Sequence, residues 1–385
     1  PAYTIHRRIY REKSFSGVEG QFNLNDNLYT DTLFMVDEAS MIANMGLGGM
    51  SFGSGCLLDD LVHFVYQGRN DRLLLIGDKA QLPPVGEEES PALHAAMLEG
   101  YGLKVYECDL NEVLRQSEES GILYNATMIR QMITHDDITQ LPKIHFAGYS
   151  DIKPMPGAEL IEALADSYHH VGLDDTIVVT RSNKRANIFN QGIRNMVLDR
   201  EEELSQGDIL MIVKNNYYWM EEERKKIKEK EIEERRVKSE GTESGTATHK
   251  VQSSKFQVQS NDIPAFLANG DRAKVLKVRR RIDLYGFRFA TLLLQFPDYG
   301  NYELEATVLL DTLTSEAPAL THEQQEQLFH QIEEDYQDIP LKADRMKAIR
   351  QDQFFNALQV KFAYAVTCHK AQGGQWAHVY VDQGY

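Results

Sequence analysis

Two apolar segments, each followed directly by polar residues, constrain the fold of this chain more than any other feature. The first, residues 32–36, leads into Asp37 and Glu38, and the second, residues 73–76, leads into a polar loop at 77–85. Unbroken apolar runs of this length are typical of strands buried in a parallel sheet. Because open α/β sheets bind ligands at the carboxyl ends of their strands, both polar segments are expected at one ligand-binding edge.

The residue types at these two strand ends suit the hydrolysis of a nucleoside triphosphate. Asp37 can hold Mg²⁺ through its water shell, and Glu38 can orient or deprotonate the attacking water. Gln81 carries a neutral amide that can sense a γ-phosphate, whereas Asp78 is expected to orient its own loop. An acidic pair that only begins a helix is the alternative for Asp37 and Glu38, and the Gly-Asp-x-x-Gln pattern downstream disfavours it.

Composition bounds the class of protein. A length of 385 residues allows two to four domains, and hydrophobic and charged contents of 42% and 26% are ordinary for a globular chain. No apolar run approaches the ~18–20 residues of a membrane span, so no membrane partner is expected. The cysteines Cys56, Cys108 and Cys368 lack metal-binding spacing, which predicts reduced thiols and a cytoplasmic location.

The net charge of −17 disfavours indiscriminate binding to nucleic acid but allows a local basic surface. Three clusters of basic residues occur, and each on its own is compatible with a solvated face. Their members are Arg7, Arg8, Arg11 and Lys13; Arg181, Lys184, Arg185 and Arg194; and Arg272, Lys274, Lys277, Arg279, Arg280 and Arg281. As a set, close to the motifs described next, they favour contacts with phosphates.

The polar loop Gly-Asp-Lys-Ala-Gln-Leu-Pro-Pro-Val at 77–85, together with Asp-Glu-Ala-Ser at 37–40, resembles motifs II and III of superfamily 1 DNA helicases. Other segments extend the resemblance: 4–7 looks like motif Ia, 110–116 like motif IV and 367–373 like motif V. Asn-Gly-Asp at 269–271 resembles the start of the SH3-like domain of the 5′-to-3′ RecD-like branch. The resemblance covers nearly the whole chain in the family's order.

The resemblance implies an α/β fold with two RecA-like parallel-sheet domains, the first incomplete, and an inserted SH3-like β-barrel domain. The expected parts are the remainder of the first RecA-like domain at 1–104, the second RecA-like domain at 105–220 and 357–385, a charged insertion at 221–260, and the SH3-like domain with a helical return at 261–356. In the second RecA-like domain we expect strands at 176–180 and 208–213, and a helix capped by Ser182 or Asn183.

The sequence patterns of two segments do not determine their structure fully. Residues 14–30 are compatible with a strand-separating hairpin or with an irregular loop. Residues 221–240 hold eight acidic and eight basic residues in a pattern that supports a helix through i, i+4 pairs, yet they lack an apolar stripe for core packing. We therefore interpret 221–260 as an insertion outside the motifs.

The resemblance also assigns roles to individual residues. For ATP and Mg²⁺ it implies catalytic Asp37, Glu38, Gln81 and Arg115, with Asp37 holding the metal through water, and further nucleotide contacts from Gln116, Gln372 and Gly373. Arg115 matches the arginine that stabilises developing charge on the phosphates. DNA contacts are expected from Pro83, whose rigid loop can abut a base, and with the backbone from His6, Arg7, Asn183, Thr367, His369 and Lys370. Phosphate contacts on two domains suit stepwise movement along a strand.

The implied function is the motor core of an ATP-dependent DNA helicase that moves 5′ to 3′ on single-stranded DNA. Expected partners are single-stranded DNA, duplex junctions and a repair or recombination complex. No Gly-x-x-x-x-Gly-Lys-[Ser/Thr] loop occurs in the sequence, and no motif VI follows motif V, which predicts a fragment that is inactive alone. A catalytically silent nucleic-acid-binding module remains the alternative. An RNA-directed or DNA-packaging ATPase fits motif III and the SH3-like segment less well.

Overall fold

The computed structural model describes residues 3–15, 20–45, 53–110, 120–134, 141–240, 264 and 266–383. Arg115, Gln116 and the second half of the expected insertion, 241–260, lie outside these ranges. The chain divides into two compact units, Pro1–Pro156 and Gly157–Tyr385. Parallel sheets and a closed five-stranded barrel confirm the mixed α/β class predicted from the sequence.

The first unit contains a hairpin and a parallel strand pair, both packed against helices. Its strands are β1 (Tyr10–Phe15), β2 (Gly20–Leu24), β3 (Leu33–Val36) and β4 (Arg72–Leu75), and its helices are α1 (Ile5–Ile9), α2 (Leu57–Gln67), α3 (Ala95–Glu99) and α4 (Gly121–Thr134). β1 and β2 are antiparallel, so the hairpin alternative for residues 14–30 holds, although the hairpin begins at Tyr10. β3 and β4 are parallel, as predicted.

The β3–β4 pair is buried on one face only, which differs from the expectation of fully buried strands. Phe34 and Leu73 pack against the core that α2 contributes to. On the opposite face, Leu33 and Met35 keep 54% and 64% of their surface exposed. Since no element of the described residues covers that face, the apolar run does not place both sides of these strands in the core.

The second unit combines a barrel, a parallel sheet and flanking helices. The closed barrel has the order β10-β6-β7-β8-β9, with β9 and β10 parallel and the other described pairs antiparallel. Its strands are β6 (Ile209–Ile212), β7 (Arg272–Leu284), β8 (Phe287–Phe296), β9 (Tyr302–Leu309) and β10 (Leu358–Phe362). The parallel sheet has the order β11-β5-β12, with strands β5 (Thr176–Thr180), β11 (Ala365–Thr367) and β12 (His378–Val381).

Six described α-helices belong to this unit. They are α5 (Leu160–His170), α6 (Asn183–Gly192), α7 (Tyr218–Glu240), α8 (His322–Asp335), α9 (Lys342–Arg350) and α10 (Cys368–Ala371). Ser182 caps α6 by accepting a hydrogen bond from the Arg185 N–H at 3.3 Å, as its position before the helix predicted. No described helix is long and apolar enough to cross a bilayer.

The strand at 208–213 differs from its expected place in the second RecA-like domain. In the structure β6 pairs with β7 on one side and with β10 on the other, so it belongs to the barrel. All four of its residues are buried, as are four of the five in β10. Closing the barrel satisfies both hydrogen-bonding edges of these two apolar strands, which an open sheet would leave exposed.

The charged segment at 221–240 is helical, and its first turns pack on the core against our expectation. Met220 is fully buried, Ile227 contacts the main hydrophobic cluster, and Arg224 donates to the Pro264 carbonyl at 2.7 Å. The described ion pairs of this helix have i, i+3 spacing, as in Lys225–Glu222 at 2.6 Å. Apolar residues of the first turn, together with Ile227, therefore anchor the start of α7.

Only Ala363 and Tyr364 separate barrel strand β10 from sheet strand β11. The buried Asn190 side chain on α6 clamps this connection. Its Nδ2 donates to the carbonyls of Phe362 at 3.2 Å and Ala365 at 2.9 Å. Its Oδ1 accepts from the N–H groups of Tyr364 at 3.1 Å and Ala365 at 2.8 Å. Barrel and sheet thus share one rigid junction.

A buried ionic network lies beside the same junction. Asp208, which is fully buried, accepts two hydrogen bonds from Arg194 at 3.1 Å each, one from Arg200 at 2.7 Å and one from the Tyr364 hydroxyl at 2.8 Å. Burial beside this carboxylate raises the pKa of the Tyr364 hydroxyl, so the hydroxyl remains a donor. A buried carboxylate with this many donors is held in one geometry.

Candidate functional site

The acidic edge of the first unit is formed by the ends of β3 and β4. The in-register pairing continues past both strands: the Ile76 N–H donates to the Val36 carbonyl at 2.8 Å, and the Ala39 N–H donates to the Ile76 carbonyl at 2.9 Å. These two hydrogen bonds place the segment that follows β3 next to the segment that follows β4. The two carboxylates predicted as catalytic, Asp37 and Glu38, are both exposed there.

Backbone geometry fixes the acidic pair. Glu38 has a φ of 53°, which is uncommon for a residue with a side chain. Its N–H donates to Asp37 Oδ1 at 3.0 Å, so one oxygen of Asp37 is oriented by the adjacent backbone. The exposed Asp37 carboxylate at this strand end fits Mg²⁺ held through its water shell, because Mg²⁺ retains several waters in such sites.

The loop after β4 is organised by Asp78. Asp78 Oδ1 accepts from the Ala80 N–H at 2.9 Å, and the Gln81 N–H donates to the Asp78 carbonyl at 3.1 Å. The other carboxylate oxygen of Asp78 forms an ion pair with Arg130 on α4. Asp78 therefore orients the loop, as its position suggested, while Arg130 was missed because nothing around it in the sequence marks a role.

The same edge is tightly packed beneath the loop. A Cβ placed on Gly77 would lie 3.0 Å from the backbone nitrogen of Ser40, so a larger residue here would require the two segments to move slightly apart. Glu87 Oε1 accepts from the N–H groups of Asn44 at 2.7 Å and Met45 at 2.9 Å. The two segments that follow β3 and β4 are therefore linked to each other twice, by backbone and by side chain.

The acidic edge presents two carboxylates beside the loop of Gln81. No cluster of three or more metal-ligating side chains occurs among the described residues. The phosphate-cradling pattern Gly-x-x-x-x-Gly-Lys-[Ser/Thr] is absent from the sequence. Asp37, Glu38 and Gln81 lie along these adjoining segments, whereas Arg115 and Gln116 lie outside the described residues.

In the second unit, two predicted DNA contacts from separate parts of the chain meet at the carboxyl edge of the parallel sheet. Thr367 at the end of β11 pairs in register with Thr180 at the end of β5. The Thr180 hydroxyl donates to the Ser182 carbonyl at 3.1 Å, which fixes the turn into α6, where Asn183 is the first residue. Thr367 and Asn183, both predicted to contact DNA, therefore lie at the same edge.

Lys370 contacts the barrel loop at 269–271, a contact that the sequence did not predict. Its ammonium donates to Asn269 Oδ1, and partial burial lowers the pKa of Lys370. The loop is braced on the barrel: the Asn269 N–H donates to Asn215 Oδ1 at 2.7 Å, and Tyr299 donates to Asp271 at 2.6 Å. The segment that resembles motif V and the loop that resembles the start of the SH3-like domain are therefore in direct contact.

The turn after α10 is also well defined. The Gln372 N–H donates to the Cys368 carbonyl at 3.0 Å, and Gly373 has a φ of 80°, a value that favours glycine. Half-buried His369 lies between Cys368 and Lys370 on this short helix. The nucleotide contacts expected of Gln372 and Gly373 stay a prediction.

Two arginines of the second basic cluster are paired with carboxylates of the fold. Arg185 forms a bidentate ion pair with Asp382 at 2.8 and 2.6 Å, and this pairing raises the pKa of Arg185. Arg194 is buried against Asp208. Both guanidinium groups therefore have carboxylate partners within the folded chain, and the phosphate contacts expected of the cluster stay a prediction.

The third basic cluster, on β7, is partly neutralised. Arg279 pairs with Glu305 at 2.6 Å, and Arg281 donates to the Leu204 carbonyl at 2.7 Å. Arg272 donates to the carbonyl of Asp174 at 2.7 Å. These three arginines therefore have partners within the fold, and the phosphate contacts expected of the cluster stay a prediction.

The first cluster lies around α1, with His6 and Arg7 exposed on that helix and Arg11 paired with Asp26 at 3.3 Å. The predicted DNA contacts thus divide between the units. His6, Arg7 and Pro83 belong to the first unit, and Asn183, Thr367, His369 and Lys370 belong to the second.

Comparison with known families gives one match. The UvrD-like helicase C-terminal domain family matches residues 362–385, which include Thr367, His369 and Lys370. None of the curated proteins compared with the chain resembles it significantly. The match supports a superfamily 1 helicase and a helicase-related function, and it is consistent with nucleic-acid binding.

Proposed function

We propose that the chain forms the motor core of an ATP-dependent DNA helicase of the RecD-like branch, moving 5′ to 3′ on single-stranded DNA. The observation that carries the proposal is the carboxyl edge of β3 and β4, where Asp37 and Glu38 adjoin the loop of Gln81. The family match over motif V supports the same conclusion from the other unit. A role at duplex junctions, in a repair or recombination complex, belongs to this proposal.

The proposed chemistry assigns one task to each residue of the acidic edge. Bound Mg²⁺ would neutralise charge on the phosphates of ATP. Asp37 holds the water shell of that ion, and Glu38 accepts a proton from the attacking water. Gln81 hydrogen-bonds near the γ-phosphate and changes partner when that phosphate leaves. Arg115 stabilises developing charge, with Gln116, Gln372 and Gly373 as further nucleotide contacts.

Most of the proposed DNA contacts involve the backbone of the strand. The hydroxyl of Thr367, the amide of Asn183, the imidazole of His369 and the ammonium of Lys370 can each bond a phosphate oxygen without reading a base. His6 and Arg7 are proposed to act similarly on the first unit, whereas Pro83 has no donor and is proposed to abut a base.

The proposed domain assignment follows the motifs and the strands. Residues 1–104 form the remaining part of a first RecA-like domain, and the β11-β5-β12 sheet is the core of a second one. The barrel is the SH3-like domain, with β6 and β10 added to the residues 261–356 that the sequence suggested. The parallel strands and the polar residues at their carboxyl ends support this assignment.

The test measures ATP hydrolysis, with and without single-stranded DNA, in the complete natural protein that carries this sequence. Glu38→Gln should abolish DNA-stimulated hydrolysis and retain nucleotide binding, because the amide keeps the size of the side chain but cannot take a proton. Glu99→Gln, an exposed carboxylate at the end of α3, is the matched control and should keep the normal rate. Near-normal turnover in Glu38→Gln would remove Glu38 from the proposal.

A second candidate function is a catalytically silent nucleic-acid-binding module. The absence of the phosphate-cradling pattern from the 385 residues favours it. The same experiment separates the two candidates: single-strand binding without any hydrolysis in the complete protein would support the silent module, and DNA-stimulated hydrolysis would exclude it. The 385-residue chain alone is expected to show negligible hydrolysis under either candidate.

A further inference from the structure

An exposed group of two tyrosines and one arginine borders α1 in the first unit. The Arg8 guanidinium lies 5.3 Å from the ring centroid of Tyr3 and 4.5 Å from that of Tyr29. It also donates a hydrogen bond to the Tyr29 hydroxyl. Tyr3 and Tyr29 expose 51% and 39% of their surface. A cation thus lies against two aromatic rings that both remain open to solvent.

The Tyr29 ring is fixed by contacts that reach into the core. It packs edge-on against Phe34 of β3 at 5.8 Å, and Phe34 packs in the same way against Phe64 of α2. The Tyr29 N–H donates to Asn27 Oδ1 at 2.9 Å, and Asn27 Nδ2 donates to the Val65 carbonyl at 3.1 Å. A ring already held in this way would lose little conformational entropy on stacking with a ligand.

The charge of Arg8 is not neutralised by a carboxylate within the described residues. Of the nearby acids, Asp26 pairs with Arg11 at 3.3 Å, and Asp31 accepts from Asn70 at 2.7 Å. The neighbouring Leu28 is 88% exposed. The surface therefore combines a positive charge, two partly exposed aromatic rings and an apolar side chain, and no anion of the described residues occupies it.

Unpaired nucleotides have the complementary chemistry. Every base presents a π-face that can stack on tyrosine, and the adjoining phosphate can interact with a guanidinium. The closely spaced cation and rings on Tyr3, Arg8 and Tyr29 match one nucleotide of a single strand. Duplex DNA does not match, because its bases are stacked on each other and unavailable.

We propose that Tyr3, Arg8 and Tyr29 form a stacking platform for an unpaired base of a single-stranded nucleic acid. The proposal rests on the proposed function only in that a single strand must reach α1, where His6 and Arg7 are expected to contact its backbone. The platform responds to the presence of a base and not to its identity, since stacking is available to all four bases. It adds a base contact to a set of residues that mostly touch phosphates.

The experiment compares the affinity of the full chain for a labelled single-stranded oligonucleotide and for the same strand with abasic sites, by fluorescence anisotropy. Tyr29→Ala should weaken binding of the normal strand about five-fold or more, the lower limit for losing one stacked base. It should leave binding of the abasic strand unchanged. Tyr29→Phe keeps the ring and should stay within about two-fold of the unaltered chain.

Tyr106→Ala is the matched control. Tyr106 is 80% exposed and also carries a cation over its ring, Lys104 at 5.0 Å, but it lies in a different part of the first unit's sequence, away from α1. Its substitution should change neither affinity. Equal weakening by Tyr29→Ala and Tyr106→Ala would show a general effect of removing exposed aromatic surface and would overturn the platform.

The remaining outcomes separate the platform from the proposed function. If Tyr29→Ala binds both strands normally, the platform is wrong, whereas Thr367→Ala can still weaken binding and uphold the backbone contacts. If Tyr29→Ala weakens both strands equally, Tyr29 supports the backbone track or the fold, and stacking is again overturned. If the unaltered chain binds neither strand, the platform and the proposed function both fail.

Discussion

Replacing Asn190 with alanine should strongly destabilise the second unit, because this one side chain clamps the junction between barrel and sheet. The substitution removes four hydrogen bonds, to the backbone of Phe362, Tyr364 and Ala365, at 2.8–3.2 Å. Asn190 is 3% exposed, so water cannot readily replace them. At ~0.5–1.5 kcal/mol for each bond, the free energy of unfolding should fall by about 2–6 kcal/mol.

Asn187 offers a matched control on the same helix. Its side chain also donates to two backbone carbonyls, those of Thr314 at 2.9 Å and Ser315 at 3.0 Å, but it is only partly buried. Asn187→Ala should therefore lower the free energy of unfolding by about 1–2 kcal/mol, because it removes half as many hydrogen bonds and water can reach the carbonyls that lose them. The difference between the two losses in the free energy of unfolding measures how much the Asn190 side chain stabilises the junction between β10 and β11.

Urea unfolding followed by tryptophan fluorescence measures this effect. The chain has two tryptophans, Trp219 and Trp376, and both belong to the second unit. The transition therefore reports that unit even if the first unit unfolds separately. A loss below about 1 kcal/mol for Asn190→Ala, or a loss equal to that of Asn187→Ala, would refute the reasoning that the four bonds stabilise the junction.

Three further predictions concern motif V and its surroundings. Burial lowers the pKa of Lys361 to about 8, against 10.5 in the unfolded chain, so the folded protein binds fewer protons than the unfolded chain between these two pH values. The free energy of unfolding should therefore rise across pH 8–10. Lys361→Met should remove that rise in urea titrations. The double variant Thr367→Ala with His369→Ala should weaken single-strand binding similarly for different DNA sequences, at roughly 0.5–1.5 kcal/mol for each hydrogen bond lost. In anisotropy titrations, a loss that depends on the DNA sequence would contradict backbone contact. Asn269→Ala should weaken the same binding with little change in the unfolding midpoint, because it releases Lys370 without opening the core, and unaltered affinity would show that the contact has no role in binding.

The parallel strands and their polar ends were predictable because the signal is local. An apolar run, an acidic pair and a Gly-Asp-x-x-Gln loop occupy contiguous residues, and the sheet rule then brings Asp37 and Gln81 to one edge. The cap at Ser182 was predictable for the same reason, since a capping hydroxyl acts on an N–H only three residues away.

Long-range pairing was not predictable from these patterns. β6 and β10 read as ordinary buried strands, and nothing in an apolar run specifies whether its partner lies in a sheet or in a barrel. Asn190 bonds residues 172 and 175 positions away, and Lys370 bonds Asn269 from 101 positions away. Neither contact has a sequence signal, because an amide that clamps a distant backbone looks like any polar residue on a helix.

The partners of the basic clusters were not predictable, because charge in the sequence does not show its neutralising partner. Arg185 reaches Asp382 across 197 positions, so the cluster looked free of acids when it was not. The platform at Tyr29 was missed for a related reason. Arg8 and Tyr29 lie 21 positions apart, and only folding of the β1–β2 hairpin brings them together.

The way in which the barrel is assembled limits how the protein can be dissected. Removing residues 261–356 would take away β7, β8 and β9 and leave β6 and β10 paired only with each other. Each would then present an unpaired edge rich in apolar residues, a surface that invites strand exchange between molecules. Because β10 continues into β11, the defect would begin two residues from the strand that ends at Thr367. We therefore expect that the barrel cannot be exchanged as a separate module without disturbing the strand that ends at Thr367.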